Sequence, residues 1–247
     1  MTDKNDKEEK QKIADDIKKE IEDVLNDSKS SGFTFKIYER IKNELKPNTS
    51  EAEKYLQDVI KKCEFNKNVD IFIKVAVIDS LYSTNLNKNI GVVEMFNFIL
   101  DNKEKVDAII NNNNEEEIAN DIQELLTRLK KKKNSNNVSF ISKYLTVHQY
   151  FLCKQQHIQI CDSVVQTRLK ELKEKPFYKD IIQQYIKTRG YRKDKNVFDF
   201  RHDKDGYKVW YEIIGKILEA IWKEDNGLKE NNFGRRDFDW YIWIVYR

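Results

Sequence analysis

Two prolines and seven glycines are all that interrupt a chain of 247 residues rich in Lys, Glu, Ile and Leu. Proline and glycine are the residues that stop helices, and the abundant types are ones that helices accept. That scarcity of breakers constrains the chain to a mostly helical fold. No βαβ alternation is present, which excludes a doubly wound sheet, and no internal repeat appears. Aromatic residues make up 12% of the chain, enough apolar volume for a packed core rather than wholesale disorder. The length suits one large domain or two small ones.

The apolar periodicity divides the chain into helices. Ile13, Ile17, Ile21, Val24 and Leu25 form one narrow stripe on a charged amino-terminal helix over residues 1–30, broken by Ser30-Ser31-Gly32. A second helix runs from Phe33 to Leu45 and ends at Pro47. A third is capped by Thr49-Ser50-Glu51, with Tyr55, Leu56, Val59 and Ile60 as its inner face. Asn68 to Leu86 is so continuously apolar (Val69, Ile71, Phe72, Ile73, Val75, Val77, Ile78, Leu81) that it is expected to be the central helix, buried nearly all round. A polar loop from Ser83 to Asn89 follows, then helices toward Leu100, from Asp101 to Ile110 and from Glu115 to Leu129. An Asn run, Asn111 to Asn114, separates the last two. Beyond a linker, Asn134 to Asn137, the spacing predicts an amphipathic helix from Val138 to about Tyr150. Asp162 and Ser163 begin another, Pro176 opens the next, and Tyr207 to Lys223 and Arg235 to Arg247 close the chain. Thr188 to Gly206 is a polar connection.

Charge says little in total: 45 Lys and Arg against 42 Asp and Glu leave a net of +3, too small a bias to indicate nucleic acid. Its distribution says more, because Arg128 to Lys133 is a six-residue run with five cations. Such runs are ordinarily solvated faces or loops. Cys63, Cys153 and Cys161 lack metal-site or disulfide spacing, so no metal and no cofactor is expected, and a reduced, cytoplasmic setting fits. No apolar run approaches the ~20 residues of a membrane span. The amino-terminal stretch is polar, unlike a secretory leader.

Lys143 and Asp162 carry the chemistry. Lys143 lies in Ser142-Lys143-Tyr144-Leu145-Thr146-Val147-His148. Asp162 lies 19 positions later in Ile160-Cys161-Asp162-Ser163-Val164-Val165, where a helix begins. Separately, each has a plain structural role: a lysine near an aspartate is usually a solvated ion pair worth ~0–1 kcal/mol, and an aspartate at a helix start is usually an N-cap. Together they can act on a sugar. A lysine amine can attack C1′ of a nucleoside, and a carboxylate can stabilise the oxocarbenium-like sugar and move protons. His148 and His157 read as hydrogen-bonded structural histidines.

The order and spacing of these two segments resemble the helix-hairpin-helix DNA glycosylases, specifically the lyase-competent 8-oxoguanine type. Val77-Ile78-Asp79-Ser80-Leu81-Tyr82-Ser83-Thr84-Asn85 is similar to that group's buried helix and the Asn-containing loop after it. The resemblance covers residues 69–170, and Arg235 to Trp243 looks like the tail of bacterial proteins with this fold. One departure stands out: the family's Gly-x-Gly hairpin turn corresponds to Asn134 to Ser142, which holds no glycine.

The resemblance implies an all-α, glycosylase-like fold of two helical subdomains with a cleft between them, spanning 31–247, with the hairpin and catalytic region near 134–172. It implies a monomeric DNA glycosylase, with AP-lyase activity through Lys143, acting on duplex DNA that carries a damaged or modified base. Lys143 and Asp162 would be catalytic. Thr84 and Asn85 would fill the gap left by the everted base. Lys131, Lys132, Lys133, Ser139 and Ser142 would contact phosphate in place of the missing glycines. Tyr82, Trp240 and Trp243 would stack on the base. Two alternatives share the scaffold: a catalytically inactive helical DNA-binding or interaction protein, and a glycosylase of phage-modified bases acting in defence.

Overall fold

The structure, a computed structural model, describes residues 2–27, 29–45, 51–63, 68–82, 84, 86, 90–133, 137–191 and 205–245. Among these the regular elements are all helical. The chain falls into two compact units: Met1–Asn48 with Val164–Phe198 and Glu212–Arg247, and Thr49–Ser163 with Asp199–Tyr211. No helix among the described residues is long and apolar enough to cross a membrane.

In the first unit, α1 (Thr2–Asp27) buries Ile17, Ile21 and Leu25 and leaves Val24 exposed. The buried stripe is therefore narrower than the sequence predicts, because spacings of four and four already fill the contact face. Gly32 turns the chain at φ +69°, where an added Cβ would stand 3.1 Å from Ile21, so both conformation and space require glycine. The turn delivers Phe33 into an aromatic core, its ring 4.9 Å from Phe233 and 4.1 Å from Tyr241. Thr34 then caps α2 (Phe35–Arg40), which runs on as a π-helical turn through Leu45.

The second unit contains α3 (Glu51–Lys62), α4 (Asn68–Tyr82), α5 (Val92–Asp101), α6 (Lys103–Asn111), α7 (Glu115–Lys133) and α8 (Val138–His148). Helix α8 continues as a π-helical turn, Gln149–Cys153, that stops where Lys154 adopts a left-handed conformation. The caps expected at Thr49 and Ser50, and the loop residues Ser83 and Asn85, lie outside the described residues, as do Asn134–Asn136 of the linker. Tyr55, expected on the inner face of α3, is 69% exposed.

The central helix is a correction. Helix α4 is not buried all round: Ile71, Lys74, Val75 and Ile78 face inward, while Val69 is 67% exposed and Phe72 and Leu81 also reach solvent. The helix buried on every side is α8, where all eleven residues but Ser139 are buried. It packs against α4, α6 and α7, and residues 157–161 bond back to it, so its surroundings, rather than its own composition, set its burial. Its polar face, expected to meet solvent, is buried too: Ser142, Thr146 and Gln149 are all enclosed. The basic run lies on a helix rather than in a loop: residues 130–133 form the last turn of α7.

Burial on this scale leaves a polar cluster inside the unit. His148 is fully buried, its ring 4.2 Å from that of Tyr144, and its Nδ1–H donates to the Tyr144 carbonyl at 2.7 Å. Burial, reinforced by the charge of Lys74, pushes the His148 pKa down to about 3. Burial likewise lowers Lys74 and raises Asp107. The neutral imidazole is thus a requirement of the folded state, and the unfolded chain takes up the proton instead. His148 contributes its full stabilisation above pH ~6.5, and that contribution is lost as pH falls toward 3. Urea unfolding should show a loss of about 2 kcal/mol from this group between pH 7 and pH 5. A His148→Gln variant, though less stable at neutral pH, should lack that part of the slope.

Candidate functional site

The Lys143–Asp162 pair depends on how α8 meets the segment that follows it. After Lys154 the chain turns back along α8 as a non-helical segment, His157 to Asp162, before α9 (Ser163–Leu172) begins. Residues 158–162 are all buried without strand partners, so their backbone groups need side-chain partners. Helix α8 and its π turn supply them from one stripe. The Gln149 Oε1 accepts the N–H groups of His157 and Ile158 at 2.9 and 3.1 Å. The Thr146 hydroxyl donates to the Ser142 carbonyl at 2.7 Å and lies 3.4 Å from that of Ile158. The Ser142 Oγ accepts Cys161 N–H at 3.0 Å and donates to the Ser139 carbonyl at 3.3 Å.

The carbonyls of the segment point to a different helix. Tyr207, Trp210 and Tyr211 lie at the start of α11 (Gly206–Glu224). The Tyr207 hydroxyl donates to Gln159 O at 2.9 Å, the Trp210 indole to Ile160 O at 3.3 Å, and the Tyr211 hydroxyl to His157 O at 2.5 Å. The segment is held from two sides.

At its end the Asp162 Oδ2 stands 2.9 Å from the Lys143 Nζ, with 9% and 10% of the two side chains exposed. The Lys143 ammonium also lies over the Tyr82 ring, 5.8 Å from its centroid, a cation–π geometry. Amine, carboxylate and aromatic ring therefore come together from α8, the 157–162 segment and the end of α4. The chain just past Tyr82 is shaped by Asp79: its carboxylate accepts the Thr84 hydroxyl and the Leu86 N–H at 3.0 Å.

The other expected site residues are placed differently. Ser142 is fully buried, and its hydroxyl both donates and accepts within the protein. It is not a phosphate contact: burial against the 157–162 segment overrides the exposure that a hairpin reading requires. Ser139 is half-buried at the first turn of α8. Lys131, Lys132 and Lys133 lie on α7, and Trp240 and Trp243 on α12 (Arg235–Val245) in the first unit; the side chains of all five are outside the described part of the structure. Asn85 is outside the described residues altogether. His157 lies 3.6 Å from Glu115 at one end of the clamped segment. Among the described residues no group of His, Cys, Asp and Glu is arranged to hold a metal ion.

Sequence reasoning missed the clamp. Ser142, Thr146 and Gln149 are spaced by four and three, one stripe on a helix, and that polar stripe was the available signal. The contribution of Tyr207, Trp210 and Tyr211 had none, because about fifty residues separate each from its acceptor in sequence.

The model of the HI_0787_N family, described as an N-terminal domain, matches residues 33–152. That span includes Tyr82, Ser142 and Lys143 and stops short of Asp162. Among curated proteins and solved structures there is no match to this chain.

An ion pair this enclosed has a defined energetic signature. Removing one partner strands a buried charge, so Lys143→Met or Asp162→Ala alone should lower stability by about 3 kcal/mol. The double variant Lys143→Met, Asp162→Leu should lose much less than the sum. Equilibrium urea unfolding of the three variants measures this coupling.

Proposed function

We propose that this chain is a helical DNA glycosylase with AP-lyase capability, built on a scaffold like that of the helix-hairpin-helix glycosylases. The observation that carries the reading is the 2.9 Å approach of the Lys143 amine to the Asp162 carboxylate beside the Tyr82 ring. Within hydrogen-bond distance, Asp162 can take a proton from Lys143 and leave the amine a free electron pair. The amine attacks C1′ of the everted nucleoside, the glycosidic bond breaks, and the base departs with the bonding pair and is protonated. Asp162 stabilises the cationic sugar during that step. Opening of the sugar ring gives an imine between Nζ and C1′. Loss of a C2′ proton then expels the 3′ phosphate by β-elimination, and water hydrolyses the imine. Enclosure of the pair keeps competing water from the amine.

On this reading Lys131, Lys132 and Lys133 contact DNA phosphate, and Thr84 and Asn85 fill the gap that the everted base leaves in the duplex. The substrate class is duplex DNA bearing a damaged or hypermodified base, including bases that phage DNA carries. One observation favours a second reading, an inactive DNA-binding scaffold: the pair is as buried as a structural ion pair, and Ser142 is committed to the fold rather than to phosphate.

Borohydride trapping separates the two. With duplexes carrying an abasic site, oxidised bases or phage-type modified bases, the wild-type protein should form a covalent adduct on at least one. Lys143→Gln should form none, and Asp162→Asn should slow base release on the order of a hundredfold. A wild-type chain that binds these duplexes but neither traps nor releases base is the inactive scaffold.

A further inference from the structure

The residue before the lysine and the residue before the aspartate are bonded to each other: the Ser142 Oγ accepts Cys161 N–H at 3.0 Å. We propose that Ser142 is a positioning residue that sets the register of Lys143 against Asp162. The inference rests on reading that pair as the reactive site.

Cys161 N–H is the backbone donor immediately ahead of Asp162, and Ser142 adjoins Lys143 on α8. A single hydrogen bond therefore ties together the two backbone positions from which the reacting groups project. The other end of the segment is pinned by Gln149 at His157 and Ile158, so the intervening residues cannot slide along the helix while both pins hold. A slip of one residue would carry Asp162 roughly 3.3 Å along an extended chain, more than the length of its 2.9 Å contact with Lys143. The Ser142 hydroxyl is itself oriented, because its proton goes to the Ser139 carbonyl at 3.3 Å, which leaves its lone pairs for Cys161. Ser142 and Cys161 are both fully buried, so water cannot replace the hydroxyl without entering a packed interior.

The full chain with Ser142→Ala and Ser142→Thr tests this with a duplex carrying one abasic site as probe. Two quantities are read: the single-turnover borohydride-trapping rate at saturating DNA, and the duplex Kd. A third is read without DNA, the pH titration of the Asp162 carboxyl by 13C NMR. The alanine variant should trap on the order of 10–100-fold more slowly at unchanged Kd, and the Asp162 titration should move. The threonine variant, which keeps the hydroxyl, should return both toward wild type. If Ser142→Ala traps at the wild-type rate while Lys143→Gln traps nothing, the inference is overturned and the reading of the site stands. If wild type itself traps nothing, the lyase reading fails. The Asp162 titration then decides the inference alone: a shift in the alanine variant supports it, and an unchanged curve overturns it. Should Ser142→Ala fail to fold, Ser142→Cys, near in volume and a weak acceptor, takes its place in every comparison.

Discussion

A helix enclosed on all sides can carry serine, lysine, threonine and histidine only if their polar atoms find partners inside the protein. That constraint governs α8 and, through it, much of the second unit. An unmade hydrogen bond in such a place costs about 1–3 kcal/mol, and α8 carries several polar groups that would each incur it. For Ser142, Thr146 and Gln149 the protein meets the requirement by folding the 157–162 segment back along the helix, so that this polar stripe satisfies a stretch of backbone that has no sheet to join. Each set of groups solves the other's problem, which is why neither can be altered alone without cost.

The same arrangement holds the backbone beneath the lysine–aspartate pair. Lys143 projects from a helix packed on three neighbours, and Asp162 from a segment held at both ends and anchored from α11 through its carbonyls. A pair of side chains keeps its geometry best when the elements beneath it cannot move. Here the fold meets that condition with hydrogen bonds rather than apolar packing alone. The Tyr144–His148 cluster on the same helix shows the cost of the strategy: an imidazole kept neutral by burial makes the unit sensitive to acid.

How much of this could be read in advance differs from element to element. Helices followed from the lack of breakers and from apolar spacing, and most limits agree within a few residues: Pro176 opens α10 (Pro176–Thr188) as expected, and α9 starts at Ser163 beside Asp162. Burial was harder. The apolar run in α4 suggested a helix surrounded by protein, yet Val69, Phe72 and Leu81 reach solvent. Helix α8, with more polar residues, is the enclosed one. Composition measures what a helix tolerates, whereas burial is decided by what the fold lays against each face: both helices pack on three others, but the 157–162 segment covers α8 as well. Ser142 shows the same gap at a single residue: a serine near a basic run looks like a phosphate contact until the fold commits its hydroxyl to Cys161.

By itself the sequence determined that the chain is helical and where its helices begin and end. Those properties depend on residues within a few positions of one another and on backbone preferences that act locally. It also singled out Lys143 and Asp162, because their segments are distinctive as residue patterns. Only the tertiary structure decided that their side chains meet, that Tyr82 lies over the amine, and that Tyr207, Trp210 and Tyr211 hold the connecting segment. Contacts of that kind join positions tens of residues apart, and their free energy exists only once the whole core has packed, so no local pattern could have encoded them legibly.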